Sequence, residues 1–159
     1  MSLSVLLALA LRYVLVVLFF PFSALDKIIN FQGAVGQARH LFPRGGLAAT
    51  MIAAGVFIEI VMPLGILTGV ADRLAAFIMA GYCVVTAILF KQFWTPGDFW
   101  HAGESKGRNL FWDFLKNFSL AGGFLLITFG IGAATAGAFF QAPLSSTHPY
   151  AAQQEISGR

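Results

Sequence analysis

The chain is poor in charge. Asp, Glu, Lys and Arg make up 11% of its 159 residues, against about 25% in ordinary soluble domains. With 58% hydrophobic residues and a mean hydropathy of +0.78, it falls in the membrane class rather than among soluble globular domains. Cysteine is nearly absent. Cys83 stands alone, so an intramolecular disulfide, a CxxC redox pair and a thiolate cluster are excluded. Within its apolar run AGYCVVTAILF it reads as a small core residue. Histidine is missing from the long apolar runs: His40, His101 and His148 fall between or after them, which leaves no bis-histidine haem ligation inside a span. No His, Cys and carboxylate set has metal-ligand spacing, so no metal site is expected. No glycine-rich dinucleotide fingerprint follows a strand. The net charge of +3 is spread along the chain, not gathered into a patch that would suit nucleic acid.

Long apolar runs are what the chain does have. Four are long enough to cross a bilayer, which takes about 20 helical residues. They run from about Leu3 to Ala24, Gly46 to Val70, Leu74 to Trp94, and Leu110 to Ala136 or beyond. The first lacks a basic leader and carries Arg12 in its middle, so it reads as a span and not as a cleaved signal. The turn GVADRL joins the second and third, making them antiparallel neighbours. In the first loop, Ile28, Phe31, Val35, Ala38, Leu41 and Phe42 recur at helical spacing and predict a short interfacial helix with one apolar face. The expected fold is an all-α four-helix transmembrane bundle, up-down-up-down, over residues 1–140. A polar C-terminal tail, residues 141–159, reads as disordered or as a contact for a partner.

Lys27, Arg39, Arg44, Lys91, Lys106 and Arg108 flank the first and third loops, with Lys116 just inside, whereas the other side holds Arg73 and Arg159. The positive-inside rule then places those two loops in the cytoplasm and the termini outside.

Two charges lie deep within spans. Arg12 and Glu59 come out at similar depth when helical rise is counted from the loop side. Buried intramembrane charges cost a few kcal/mol or more and usually pair, so an Arg12–Glu59 ion pair is expected between adjacent antiparallel helices. Pro63 leaves the carbonyl of Glu59 without its helical donor. The pair either fixes helix register or makes Glu59 a buried proton carrier; sequence leaves both open.

Nearer the loop face, Ser23, Asp26 and Lys27 share the stripe of Arg12, and Asp113, Lys116 and Asn117 stack on the fourth span. With Lys91, Gln92 and Trp94 they form a polar ring around one vestibule. Lys27 and Lys91 also suit snorkelling to the interface. Gly122 and Gly123 allow another helix close, which favours burial of Lys116 and Asn117. Trp94, Trp100 and Trp112 form an aromatic belt or a flat wall for a ring-shaped ligand.

The ordered motifs ALRYVLVVLFFPFSALDKI, GVFIEIVMPLGILTGVADRLAA, FKQFW and FLKNFSLAGG resemble the DoxX family of small four-helix bacterial membrane proteins. The resemblance spans Leu9 to about Leu126, and Arg12, Lys27, Glu59, Arg73, Trp94, Lys116 and Asn117 match positions characteristic of the family. Pro63 and the tail have no match in it. The family's relation to the small membrane subunit of thiosulfate:quinone oxidoreductase implies a membrane subunit serving quinone-linked oxidoreduction, with a dissociable quinone as the expected cofactor and electrons delivered by a partner. The expected quinone contacts are Lys27, Trp94, Trp112, Lys116 and Asn117, with Glu59 and Lys116 as candidate catalytic groups. The alternative is a non-catalytic accessory subunit packed on a larger membrane redox or respiratory complex. A homo-oligomer, and a carrier for a small anion or lipid, are further readings.

Overall fold

The structure, a computed structural model, describes residues 2–130 and 133–151. The first span is two helices, α1 (Leu3–Val16) and α2 (Phe20–Ile29). Pro21 explains the break. It has no N–H to donate, and its ring clashes with the carbonyl four residues back, that of Val17, so regular helix cannot run through. The apolar run itself is continuous from Leu3 to Ile29, about five residues past the expected end at Ala24. Then come α3 (Phe31–Arg39), α4 (Gly45–Thr68), α5 (Asp72–Phe90), α6 (Lys106–Phe129) and α7 (Ala133–Gln141). Four apolar stretches are long enough to span a bilayer, as the hydropathy pattern requires, and the described residues contain no strand.

The expected interfacial helix is α3, but its apolar face turns inward. Val35 and Ala38 pack on Ala48 and Ile52 of α4, with Phe31 and Phe42 at the edge. The fourth span begins earlier than hydropathy suggests because its start is capped. Ser105 Oγ accepts from the Arg108 N–H at 3.1 Å, and Asp98 accepts from the Lys106 and Gly107 N–H groups at 2.7 and 2.8 Å. These satisfy donors that no helix can satisfy internally. Hydrogen bonding, by Gly107 above all and also by Lys106, holds the Asp98 carboxyl below the usual carboxylate range against the opposing effect of desolvation. The Arg108 guanidinium binds the carbonyls of Phe99, His101 and Gly103 and so organises the third loop. The helix ends at Gly130, whose φ of 73° stops it, and does not run on to Ala136.

Packing follows chain order: α1, α2 and α3 lie on α4, α4 on α5, and α5 on α6. The main core joins Val16 and Phe20 to Ile66, Met79, Cys83 and Phe124. Lipid tails are as apolar as these side chains, so close contact holds the helices together more than expulsion of water does. Gly65 shows how close: a Cβ there would sit 3.1 Å from that of Ala75. Of the expected glycine pair on α6, a Cβ at Gly123 would meet Leu15, whereas one at Gly122 would meet nothing.

The tail is a correction. As far as it is described it is docked, not free. Residues 146–150 run back over the α4–α5 turn. Thr147 donates through its N–H to Asp72 Oδ1 at 2.9 Å and through its hydroxyl to Asp72 Oδ2 at 2.5 Å. The Tyr150 hydroxyl reaches the Leu67 carbonyl, and Pro149 lies against Gly69. Polar residues that look like a solvated tail are here because a buried carboxylate needs donors. Residues 152–159, including the Arg159 used for orientation, lie outside the described residues.

Candidate functional site: the Lys27–Glu59 centre and its cavity

The expected Arg12–Glu59 pair does not form. Arg12 pairs with Asp72, Nη2 to Oδ2 at 2.8 Å. It also donates to the Ile66 carbonyl at 2.5 Å and to Thr147 Oγ1 at 2.7 Å. Glu59 pairs instead with Lys27. The depth count took the first loop to start near Leu25, but α2 runs on to Ile29. The later end moves Arg12 about 7 Å deeper, and Arg12 lies against Ile66, two turns along α4 from Glu59. Each charge still has a partner, as burial demands.

Glu59 is 2% exposed and sits midway along α4. Lys27 Nζ reaches both its oxygens, at 2.8 and 2.9 Å. Ser23 Oγ and the Tyr82 hydroxyl each donate to Oε1 at 2.9 Å. Lys27 also donates to Ser23 Oγ at 2.7 Å. Ser23 and Lys27 meet because they lie one turn apart on α2. Tyr82 comes from α5, where a Cβ at Gly55 of α4 would lie 3.3 Å from its hydroxyl. The α4 helix is continuous through Pro63. Tyr82 was missed by sequence reasoning because a tyrosine in an apolar run reads as core; its signal was a hydroxyl that burial obliges to find a partner.

This centre borders a cavity of about 1260 Å³. Its polar lining includes Ser23, Asp26, Lys27, Glu59, Tyr82 and Asn117, with His40, Lys91, Gln92 and Lys106 towards the loop side. Its apolar lining includes Phe19, Phe42, Ile52, Ile58, Val85 and Phe90. Sites for small molecules have this make-up, mostly apolar with a few convergent polar groups, usually at about 300–1,000 Å³.

Of the five residues expected to contact a quinone, Lys27 and Asn117 line the cavity and Trp94, Trp112 and Lys116 do not. Trp94 and Trp112 are more than half exposed and belong to an aromatic cluster with Phe93, Phe111 and Phe114. The Lys116 side chain is 72% exposed and reaches Asp113 at 3.4 Å. Lys116 lies one helical step from Asn117, which turns it to another face. Asn117 Nδ2 donates to the Asp113 carbonyl at 2.9 Å, and Lys91 Nζ pairs with Asp113 Oδ2 at 3.1 Å. The polar ring is therefore split, with Asp113 tying Lys91 to Lys116 beside the cavity. Among the described residues, no group of three or more His, Cys, Asp or Glu side chains is placed to hold a metal ion.

These features define a multi-pass helical membrane protein with a buried acid–base centre beside a cavity near its loop face. A family model described as DoxX matches residues 7–92. That is more than half of the chain, and the chain belongs to the DoxX family. The matched region contains Arg12, Lys27, Glu59, Asp72 and Tyr82 and ends before Asn117. No curated protein and no solved structure matches the chain.

Proposed function

We propose that this chain is a membrane component serving quinone-linked oxidoreduction, with the quinone held in the cavity beside Glu59. The observation that carries the reading is the junction of a Lys27–Glu59–Tyr82 centre, built on the buried Glu59, with a largely apolar cavity of about 1260 Å³. The residues present suit such a ligand: Lys27 and Tyr82 are donors for a carbonyl oxygen, and Phe19, Phe42 and Phe90 are apolar walls for a ring. A bound quinone supplies a carrier of two electrons and two protons. The chain's own part is to bind, orient and manage protons. Lys27 and Tyr82 turn donors from Glu59 towards the ligand oxygen, and Glu59 is the group that holds or releases a proton at that point. A partner protein delivers the electrons, and the assembly sits in a bacterial inner membrane with the first and third loops in the cytoplasm.

The test is binding of decylubiquinone to the full chain in lipid nanodiscs, read by quenching of tryptophan fluorescence against empty nanodiscs. Saturable binding is expected, weakened at least tenfold in Glu59→Gln and Lys27→Met. Quenching no greater than partition into empty discs rejects the reading. If a stoichiometric partner then leaves the membrane with the chain, the accessory-subunit role takes its place.

A further inference from the structure

The cavity is larger than a ring-sized head needs, and the helices on two sides of it pack on different neighbours. The first span and α6 touch where Phe20 meets Phe124, with ring centroids 5.6 Å apart, and where Gly123 approaches Leu15. From that contact towards the loop face, α2 stays on α4 and α6 stays on α5. Between them, Ser23 and Lys27 on one side and Asn117 on the other line the cavity.

The exposed lining is not confined to the loop end. Phe19 is 53% exposed and Gly81 is exposed, and both line the cavity. Phe19, just ahead of α2, lies ten residues from the loop-side end of that helix at Ile29, and Gly81 lies nine from the end of α5 at Phe90, or roughly 14 Å at helical rise. At that depth in a spanning bundle the surroundings are hydrocarbon. Away from the loop face the bundle is filled by the core of Val16, Phe20, Ile66, Met79 and Phe124, and Arg12, Asp72 and Thr147 tie its far end together.

We infer that the cavity opens sideways into the bilayer, through a slot between α2 and α6, and takes a membrane-dissolved amphiphile. Its hydrogen-bond-accepting head lies at Lys27 and Tyr82, and its apolar tail passes Phe19 into the lipid. The ligand class rests on the reading under Proposed function; the slot itself does not. A tail left in hydrocarbon keeps its apolar surroundings, so nothing is lost by threading only the head into the protein.

Two measurements test this. A spin label on Phe19→Cys, in a Cys83→Ala background and in nanodiscs, is probed with oxygen, which concentrates in lipid, and with a water-borne nickel chelate. Oxygen is expected to dominate, and saturating decylubiquinone to lower its collision rate. Dominance by the nickel chelate means the cavity opens to water, and the slot is overturned even if quinone binds. Fluorescence binding of a tailless, water-soluble benzoquinone is then compared with decylubiquinone at matched concentration in the membrane. At least tenfold tighter binding of the tailed form is expected, and equal binding overturns the tail route. If neither quinone binds, the quinone reading and this ligand class fall together, while the spin label still decides whether the slot exists.

Discussion

Lys27 Nζ closes on both carboxylate oxygens of Glu59, at 2.8 and 2.9 Å, and binds Ser23 Oγ at 2.7 Å. The Lys27 side chain keeps a quarter of its surface exposed, whereas that of Glu59 keeps 2%. Removing one partner therefore harms more than removing both. Glu59→Gln or Lys27→Met is expected to cost about 2–3 kcal/mol, below the 3–5 of a fully buried pair because Lys27 is partly open. The double variant recovers part of that loss. Thermal unfolding in mild detergent across the four-protein cycle measures the coupling, and additive losses would remove the pair from the account.

Asp72 has no exposed surface, and Thr147 supplies it with two hydrogen bonds. Thr147→Val removes the hydroxyl but keeps the shape. It is expected to lower stability by about 1–3 kcal/mol, the usual effect of leaving a buried acceptor short of a donor. Thr147→Ser should stay close to the wild type. A protein indifferent to Thr147→Val would show that the docked segment does not hold this end of the bundle.

Asp98 makes the start of α6 sensitive to acid. Its folded pKa lies below its unfolded value because Gly107 and Lys106 donate to the ionised form. Its contribution is therefore complete above the unfolded value, about 3.9, and is lost as pH falls through the lower folded value. The thermal midpoint of Asp98→Asn should fall less steeply than the wild type over that acid range. At neutral pH, Gly107→Ala should loosen the same cap, since a Cβ would lie 2.8 Å from Asp98 Oδ1.

Arg108 fastens the third loop by three carbonyls. Lysine keeps the charge but cannot span them with its single ammonium. Limited proteolysis of Arg108→Lys in nanodiscs should cut between residues 95 and 105 several times faster than in the wild type. Equal rates would mean the loop is held by its aromatic contacts alone.

The spans were legible because long apolar runs leave few alternatives, and the family match covers the first two motifs whole, those of the first span and of α4 with its turn into α5. The site was legible in its members and not in its pairing. Lys27 and Glu59 stand out as charges in apolar surroundings, but their partnership depends on where α2 ends, and Asn30 and Phe31 gave hydropathy no sharp boundary. Asp72 looked like a turn residue because its donors, Arg12 and Thr147, are far away in sequence. Lys116 and Asn117 are adjacent, and adjacent helical residues face apart, so one lines the cavity and the other faces out.

Gly81 offers the most direct test of the central claim, that the cavity beside Glu59 holds a lipid-soluble ligand. Apart from its chain neighbours and its own helix's backbone, nothing lies within 4 Å of where its Cβ would be, and it lines the cavity, so Gly81→Leu directs a side chain into ligand space. The measurement is native mass spectrometry of the full chain released gently from its own membrane, wild type beside Gly81→Leu. The expected result is a non-covalent adduct of a lipid-soluble molecule on the wild type, reduced at least tenfold on an equally folded Gly81→Leu. A wild type without adduct, or the same adduct on both, would contradict the claim.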